Sequence, residues 1–344
     1  MAIKTLSDIK DLKNRNVLVR VDFDVPINEG GQVADATRIE KCLPTMQYLL
    51  DKGAKLALVT KIGRPKDNKK TSTKILTPVL EKLLGVEVIW VANPLDPGIL
   101  KLLSNPAKSI LLLENIRFYR EEEKADETFA KNLAKPYDLY VNEAFAMCHR
   151  NEASVSIVPK FLPSYGGFRL IREVETLTAL LKNPQRPFVA VIGGAKIETK
   201  LPVIENLAKL ADKVLVGGAL PFSHFFPSKL HKLSNVLIPS DSVNGRDIGP
   251  QTISIFKAEL SKAKTVVWNG PMGVFEDSKY AKGTVEIARY ISSLSAFKVV
   301  GGGDTISAVT KAGVLEKMDF VSMGGGAMLT LLAEKPMPGL TSLK

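Results

Sequence analysis

Short runs of apolar and β-branched residues recur along the chain, each followed by a longer segment in which apolar positions return at helical spacing. NVLVRVDFDVP, AKLALVTKIGRP, GVEVIWVAN, SILLLENIRF and YDLYVNEAF are continuous rather than alternating, which predicts parallel strands buried on both faces. Between them, RIEKCLPTMQYLLDKG and TPVLEKLLG carry a helical period and end in Gly, as crossover helices do. The segment GFRLIREVETLTALL, from Gly167 to Leu181, predicts a long helix joining two domains. A second series then begins: FVAVIGGAK, KVLVGGAL, NVLIPSD, KTVVWNGP, FKVVGGGDT and FVSMGGGAM, separated by segments such as AKGTVEIARYISSLSA. The expected fold is α/β, with two doubly wound parallel-sheet (Rossmann-like) domains joined by an interdomain helix and hinge.

A length of 344 residues accommodates two such cores, and 45% apolar with 24% charged residues is ordinary for a globular chain, excluding disordered and multi-span membrane classes. The net charge of +11, from 47 basic and 36 acidic residues, calls for an anionic partner. Its sign does not choose among nucleic acid, acidic lipid and phosphorylated metabolites. Cys42 and Cys148 stand far apart with no CxxC pair, so neither a disulfide framework nor a zinc ribbon is expected. MAIKTLSDIKDLKNRN lacks an apolar signal-peptide core and no apolar stretch is long enough to span a bilayer, so a cytoplasmic protein is expected.

Ligands of open α/β sheets gather beyond the carboxyl ends of the strands, and the two halves differ sharply there. The first half carries Asp22, Asp24, Arg38, Lys61, Arg64, Asn115, Arg117, Asn142, Glu143, His149 and Arg150. Several guanidinium groups around one pocket suit a small, multiply anionic metabolite, because their paired donors match carboxylate and phosphate geometry. The second half carries Gly193-Gly194, Gly217-Gly218, Asn269-Gly270-Pro271, Gly301 to Gly303 with Asp304-Thr305, and Gly324 to Gly326. Glycine lets backbone N–H groups approach phosphates, and helix N-termini behind such loops add partial positive charge. Asp304 is the candidate metal contact, since Mg²⁺ favours one or two carboxylates together with phosphate oxygens. A helix N-cap is its structural alternative. Lys196 and Lys200, four apart after Gly193-Gly194, would share one face of a starting helix and reach a transferring phosphoryl group. Substrate on one domain and nucleotide on the other point to phosphoryl transfer by domain closure.

The ordered set VDFDVP with Arg38, IGRP, ENIRFYREEE, VNEAF..CHR, IGGAK...K, DIGP, WNGPMGVFE, GGGDT and GGGA closely resembles phosphoglycerate kinases along almost the whole chain. The resemblance implies reversible, Mg²⁺-dependent phosphoryl transfer between 1,3-bisphosphoglycerate and ADP, giving 3-phosphoglycerate and ATP. It implies that Asp22, Asp24, Arg38, Lys61, Arg64, Arg117 and Arg150 hold the phosphoglycerate. Arg38, Lys196, Lys200 and Gly325, the last within Gly324 to Gly326, would act at the transferring group. Gly194, Lys200, Gly217, Gly218, Asn269, Gly302, Gly303, Asp304 and Thr305 would hold nucleotide phosphates, with Asp304 on Mg²⁺. Pro271, Val274 and Glu276 would line the adenosine site, Glu276 at the ribose hydroxyls. The implied domains are 1–165 with a returning tail at 333–344, a hinge at 166–184, and a nucleotide domain at 185–332. A monomer is expected, with neither nucleic acid nor membrane as partner.

Asp24, Lys61 and Glu143 stand where the family usually has Asn, His and Asp. An extra carboxylate beside an anionic substrate weakens binding unless a cation compensates, and Lys61 is the expected cation. The stretch between Gly218 and Trp268 is shorter than in the family, which implies a more open adenine site. The competing reading is a phosphometabolite- or nucleotide-binding protein without turnover, against which Lys196, Lys200 and GGGDT argue. A dehydrogenase is disfavoured because no GxGxxG follows a strand, and no aromatic-interleaved basic motif supports nucleic-acid binding.

Overall fold

The structure, a computed structural model, describes residues 3–63, 71–104, 109–222 and 227–344. The chain divides into two compact units, one of residues 1–174 with 337–344 and the other of residues 175–336.

The first unit contains strands β1 (Asn16–Arg20), β2 (Lys55–Val59), β3 (Glu87–Val91), β4 (Ser109–Leu113), β5 (Leu139–Asn142) and β6 (Ser164–Gly166). They form one parallel sheet in the order β3-β4-β2-β1-β5-β6, with Val17 opposite Leu56 on one side and Leu139 on the other. Its helices are α1 (Thr37–Asp51), α2 (Thr77–Leu84), α3 (Ile99–Leu103), α4 (Arg120–Glu123) and α5 (Glu127–Ala134). Because strand side chains alternate in direction, Val17, Val19 and Val21 share one face, where they pack with Leu56, Leu58, Ile110 and Leu112 beneath Ile39, Met46 and Leu49 of α1. The opposite face is polar near its carboxyl end. Buried Arg20 donates to Ser154 Oγ at 2.9 Å, Ser154 Oγ donates to Glu122 at 2.6 Å, and Tyr140 donates to the Ser154 carbonyl at 2.7 Å. This pairing meets most of the hydrogen-bonding demand of charges that the sheet would otherwise strand in an apolar layer, with only Arg20 Nη2 of that guanidinium left buried without a partner among the described residues.

Helix α6 (Phe168–Lys182) runs through the division between the units, which falls between Val174 and Glu175. The first turn of α6 is closed by the buried Glu143, which accepts hydrogen bonds from Arg169 N at 3.0 Å and Thr45 Oγ1 at 2.8 Å. Burial pushes its carboxyl up to about 8.

The second unit contains β7 (Phe188–Ile192), β8 (Lys213–Val216), β9 (Val236–Leu237), a hairpin of β10 (Ser242–Val243) and β11 (Asp247–Ile248), then β12 (Thr265–Asn269), β13 (Phe297–Gly301) and β14 (Phe320–Ser322). The parallel sheet runs β14-β13-β12-β7-β8-β9, so strand order reverses between β7 and β12. Helices α7 (Ile197–Leu210), α8 (Ser228–His231), α9 (Pro250–Leu260), α10 (Lys282–Ser293), α11 (Gly303–Lys311) and α12 (Gly325–Leu332) complete the unit. Val189, Val191, Val266, Trp268 and Val300 share a core with Phe256, Ile287 and Val309 of α9, α10 and α11. The alternate strand residues face the other way, toward the layer of α7 and α12. The chain ends in α13 (Pro338–Thr341), which belongs to the first unit: Gly339 N donates to the Cys148 carbonyl at 3.0 Å, just beyond β5. Two parallel sheets with interleaved helices are thus observed, as the continuous apolar runs predict. Among the described residues no helix is long and apolar enough to cross a membrane.

Candidate active site

In the first unit, strand order reverses between β1 and β5, and the residues beyond these strand ends form a connected set of charges. Asp22 and Asp24 follow β1, Lys61 follows β2, Arg117 lies in the 3₁₀ turn after β4, and Arg150 follows β5. Arg38, in the first turn of α1, donates through Nη1 to Asp22. Lys61 Nζ donates to Asp24, whose other oxygen accepts from Gly63 N at 2.8 Å. Burial pulls the Lys61 ammonium below its ordinary pKa, Asp24 and then Asp22 oppose this, and Arg117 adds to it. Lys61 therefore feels the charges carried by the tips of both β1 and β4. Arg117, 4% exposed, donates to Glu152, and Arg150 Nη1 stands 3.6 Å from the same carboxylate. The turn carrying Arg117 is fixed by Asn115, which accepts from Arg117 N at 3.1 Å and donates to the carbonyls of Ile62 and Thr71, each at 2.9 Å.

The structure thus brings together Asp22, Asp24, Arg38, Lys61, Arg117 and Arg150. Arg64 lies outside the described residues. Glu152 was not among the residues that the sequence singled out. The available signal was an acidic residue two positions after a candidate arginine, in Arg150-Asn151-Glu152.

In the second unit the glycines fall into two kinds. A Cβ at Gly193 would lie 2.1 Å from the Pro271 carbonyl oxygen, one at Gly218 would lie 2.4 Å from that of Gly194, and one at Gly270 would lie 2.1 Å from that of Gly193. These residues let the tips of β7, β8 and β12 touch backbone to backbone. At Gly217 the crowding comes instead from a side chain, with Met272 Sδ 2.6 Å from where a Cβ would lie. Gly303 is different, for it is exposed and no atom lies within 4 Å of where its Cβ would stand.

Asn269 is the buried hub of this edge. Its Oδ1 accepts from Lys200 Nζ, its carbonyl lies 3.3 Å from the same nitrogen, and its amide faces Gly302 at the head of α11 and Met328 Sδ of α12 at 3.7 Å. Burial lowers Lys200 to about 8, opposed by Asp304. The N-termini of α11 and α12 abut, with Gly302 Cα 2.8 Å from where a Cβ of Gly325 would sit. Thr305 is buried and accepts from Gly270 N at 2.6 Å, fixing the turn that carries Pro271. Val274 and Glu276 are exposed beyond it.

Two expectations need correction. The N-cap of α11 is Gly302, at φ +95, which an L side chain rarely adopts; Asp304 is exposed within the first turn. Lys196 and Lys200 do not share a helical face. Lys196 is the N-cap of α7, exposed and with an extended ψ of 90, whereas Lys200 is buried on the helix itself.

Mg²⁺ fits this chemistry without a protein cage. Among the described residues no group of three or more His, Cys, Asp or Glu could hold a metal, while Asp304 offers one exposed carboxylate beside two helix N-termini, where phosphate oxygens would supply the remaining ligands. The sequence also gave no role to Asp247 of the DIGP motif. It is buried and accepts from Gly283 N at 2.7 Å, supplying α10 with the acceptor that its own N-cap lacks.

The phosphoglycerate kinase family model matches residues 6–231 and 225–335. A curated relative, the cytosolic phosphoglycerate kinase 3 of Arabidopsis thaliana, is 39% identical over 385 residues, covering 97% of this chain and 96% of its own. The phosphoglycerate kinase of Aquifex aeolicus is 40% identical over 390 residues, covering 99% and 98%. Among solved structures, phosphoglycerate kinase from Pyrococcus horikoshii superposes with a TM-score of 0.86 at 31% identity, covering 99% and 98% of the two chains. The two sequence alignments are longer than the 344 residues of this chain, so both relatives carry residues without counterpart here, and the family match comes as two segments that overlap at 225–231, inside the stretch read as short.

Proposed function

The chain belongs to the phosphoglycerate kinase family, enzymes that transfer phosphate to a carboxyl group, and on that premise we propose that it catalyses the Mg²⁺-dependent exchange of a phosphoryl group between 1,3-bisphosphoglycerate and ADP. The observation that carries this reading is the linked set Arg38–Asp22, Lys61–Asp24 and Arg117–Glu152–Arg150 at the strand ends of the first unit. Four cations with fixed carboxylate neighbours suit a ligand bearing both a carboxylate and a phosphate. In the direction that consumes ATP the attacking carboxylate is already ionised, since an ordinary carboxyl pKa is about 4, so no general base is required.

Arg38 and Lys196 then neutralise charge on the transferring group, and the N–H groups of Gly325 and its neighbours at the head of α12 face it. Lys200, steadied by Asn269, serves the nucleotide phosphates together with Gly302, Gly303 and Thr305. Val274 and Glu276 serve the nucleoside. Asp304, with phosphate oxygens, would hold Mg²⁺, which would supply further charge neutralisation. Closure of the two units about α6 brings donor and acceptor into line, the positioning on which phosphoryl transfer chiefly depends. The enzyme acts as a cytoplasmic monomer.

The test is a coupled steady-state assay of 3-phosphoglycerate with MgATP, running wild type beside Lys196→Ala and Arg38→Ala. Turnover by wild type and its loss in both folded variants is expected. A folded wild type that binds 3-phosphoglycerate without turnover would instead identify a binding protein.

A further inference from the structure

Two of the candidate substrate arginines converge on Glu152, a residue given no role in the reaction so far. Its side chain is 5% exposed; Oε1 accepts from Arg117 Nη2 and lies 3.6 Å from Arg150 Nη1. Arg117 arrives on the turn after β4 and Arg150 on the loop after β5, so neither segment alone fixes the spacing of the two guanidinium groups.

The base that presents Glu152 is firmly held. Glu152 heads a π-helical turn, Ala153–Ile157, and its carbonyl accepts from Val155 N at 3.1 Å and Ser156 N at 2.9 Å. Ser154 ties the same turn to Glu122 and Arg20 on the face of the sheet.

A carboxylate among arginines either competes with an anionic ligand or aims the guanidinium groups at it. A competitor must stand where the ligand arrives. Glu152 is buried behind Arg150, whose side chain is 44% exposed, and it engages only one edge of Arg117. Among the described residues Arg117 Nη1 makes no hydrogen bond; Nε is buried, with only Glu123 at 3.7 Å, too far for one. The guanidinium fork keeps Nη1 for a second anion while its orientation is set from behind. The negative charge also reduces repulsion between the two arginines.

We propose that Glu152 is a positioning residue that sets the spacing and orientation of Arg117 and Arg150 for the anionic groups of phosphoglycerate. The inference rests on reading this edge as the phosphoglycerate site. Unlike the roles of Asp22 and Arg38, it concerns a side chain that never meets the substrate.

The test uses the full chain: calorimetric titration with 3-phosphoglycerate and steady-state kinetics for wild type, Glu152→Gln and Glu152→Asp, with folding checked by circular dichroism and thermal unfolding. Glu152→Gln weakens 3-phosphoglycerate binding about tenfold and raises its KM in step, with the KM for MgATP within about twofold of wild type. Glu152→Asp keeps the charge on a shorter arm and loses only about threefold. On an Arg117→Ala background the Glu152→Gln effect shrinks to within about twofold. Undiminished binding by folded Glu152→Gln, against a wild type that binds, overturns the positioning role alone, as does a parallel rise of both KM values. If Glu152→Gln does not fold, Glu152→Asp decides, and wild-type binding by it overturns the proposal. A wild type that binds no 3-phosphoglycerate overturns the functional reading and the positioning role with it.

Discussion

Replacing Lys61 by His removes the ammonium that Asp24 faces and leaves a carboxylate, one-third exposed, pointing at the proposed phosphoglycerate site. Asp24→Asn does the reverse: it keeps an acceptor for Gly63 N at 2.8 Å but leaves the largely buried Lys61 without its nearest counter-charge. Breaking a fully buried ion pair by removing one partner costs about 3–5 kcal/mol, and an exposed pair contributes less than about 1 kcal/mol. With Lys61 at 11% exposure and Asp24 at 33%, the coupling should lie between these limits, at about 1–2 kcal/mol, or roughly 5- to 30-fold in an equilibrium. Lys61→His is therefore expected to raise the KM for 3-phosphoglycerate about tenfold, because an uncompensated anion now meets an anionic substrate. Adding Asp24→Asn should recover most of that loss although the protein has been changed twice. The assay is a double-mutant cycle on 3-phosphoglycerate KM, with urea unfolding of the same four proteins as a second readout of the pair. Single-variant effects that simply add, to within about 0.5 kcal/mol, would refute the argument that the two residues act as one unit.

Lys200, lowered to about 8 by burial, should take up a proton when nucleotide phosphates bind near that pH, so calorimetry at pH 8 in two buffers of different ionisation enthalpy should give different heats. Equal heats would count against a phosphate-facing role, and Lys200→Arg should abolish the difference. Its folded pKa lies below the unfolded value, so the same lysine favours the fold increasingly as pH rises from about 8 to about 10.5, and measured stability should contain a rising contribution there that Lys200→Met removes. Gly167→Ala would put a Cβ 1.9 Å from Glu143 Oε2 at the head of α6; a loss of about 1–3 kcal/mol in urea unfolding is expected, and wild-type stability would show that the carboxylate moves aside freely. The short segment before β12 predicts comparable kcat/KM for ADP, GDP and IDP, and strict preference for ADP would reject the more open base site.

The strands were legible because both faces of each sheet are covered, which turns a strand into an unbroken apolar run. Where that logic weakens, so does the reading. Strand β6 is only Ser164–Gly166, and it joins the sheet through Tyr140 opposite Ser164 and a bridge from Gly166 to Thr5, neither of which leaves an apolar signature. The hairpin of β10 and β11 left a turn signal instead, in Asn244-Gly245, both at positive φ. Its strands are two residues each, too short to show alternation.

The site was legible by residue type, and by pairing only at Lys61, the expected counter-charge of Asp24. Arginine and lysine after strand ends announce an anion site, yet the arginines' carboxylate partners are set by three-dimensional proximity: Arg38 with Asp22, Arg117 with Glu152. Physics nevertheless asks for such partners, because four cations held within one edge repel one another until something compensates them, and burial of Lys61 and Arg117 sharpens the need. The glycines carry the complementary lesson. A run of glycine after a strand reads as room for phosphate, but Gly193, Gly218 and Gly270 are required because neighbouring backbones touch there. Packing makes no such demand at Gly303. The part of GGGDT that a ligand must explain is thus its third glycine, at the exposed head of α11 beside Asp304, and Gly303→Ala should cost nucleotide affinity while leaving the fold intact.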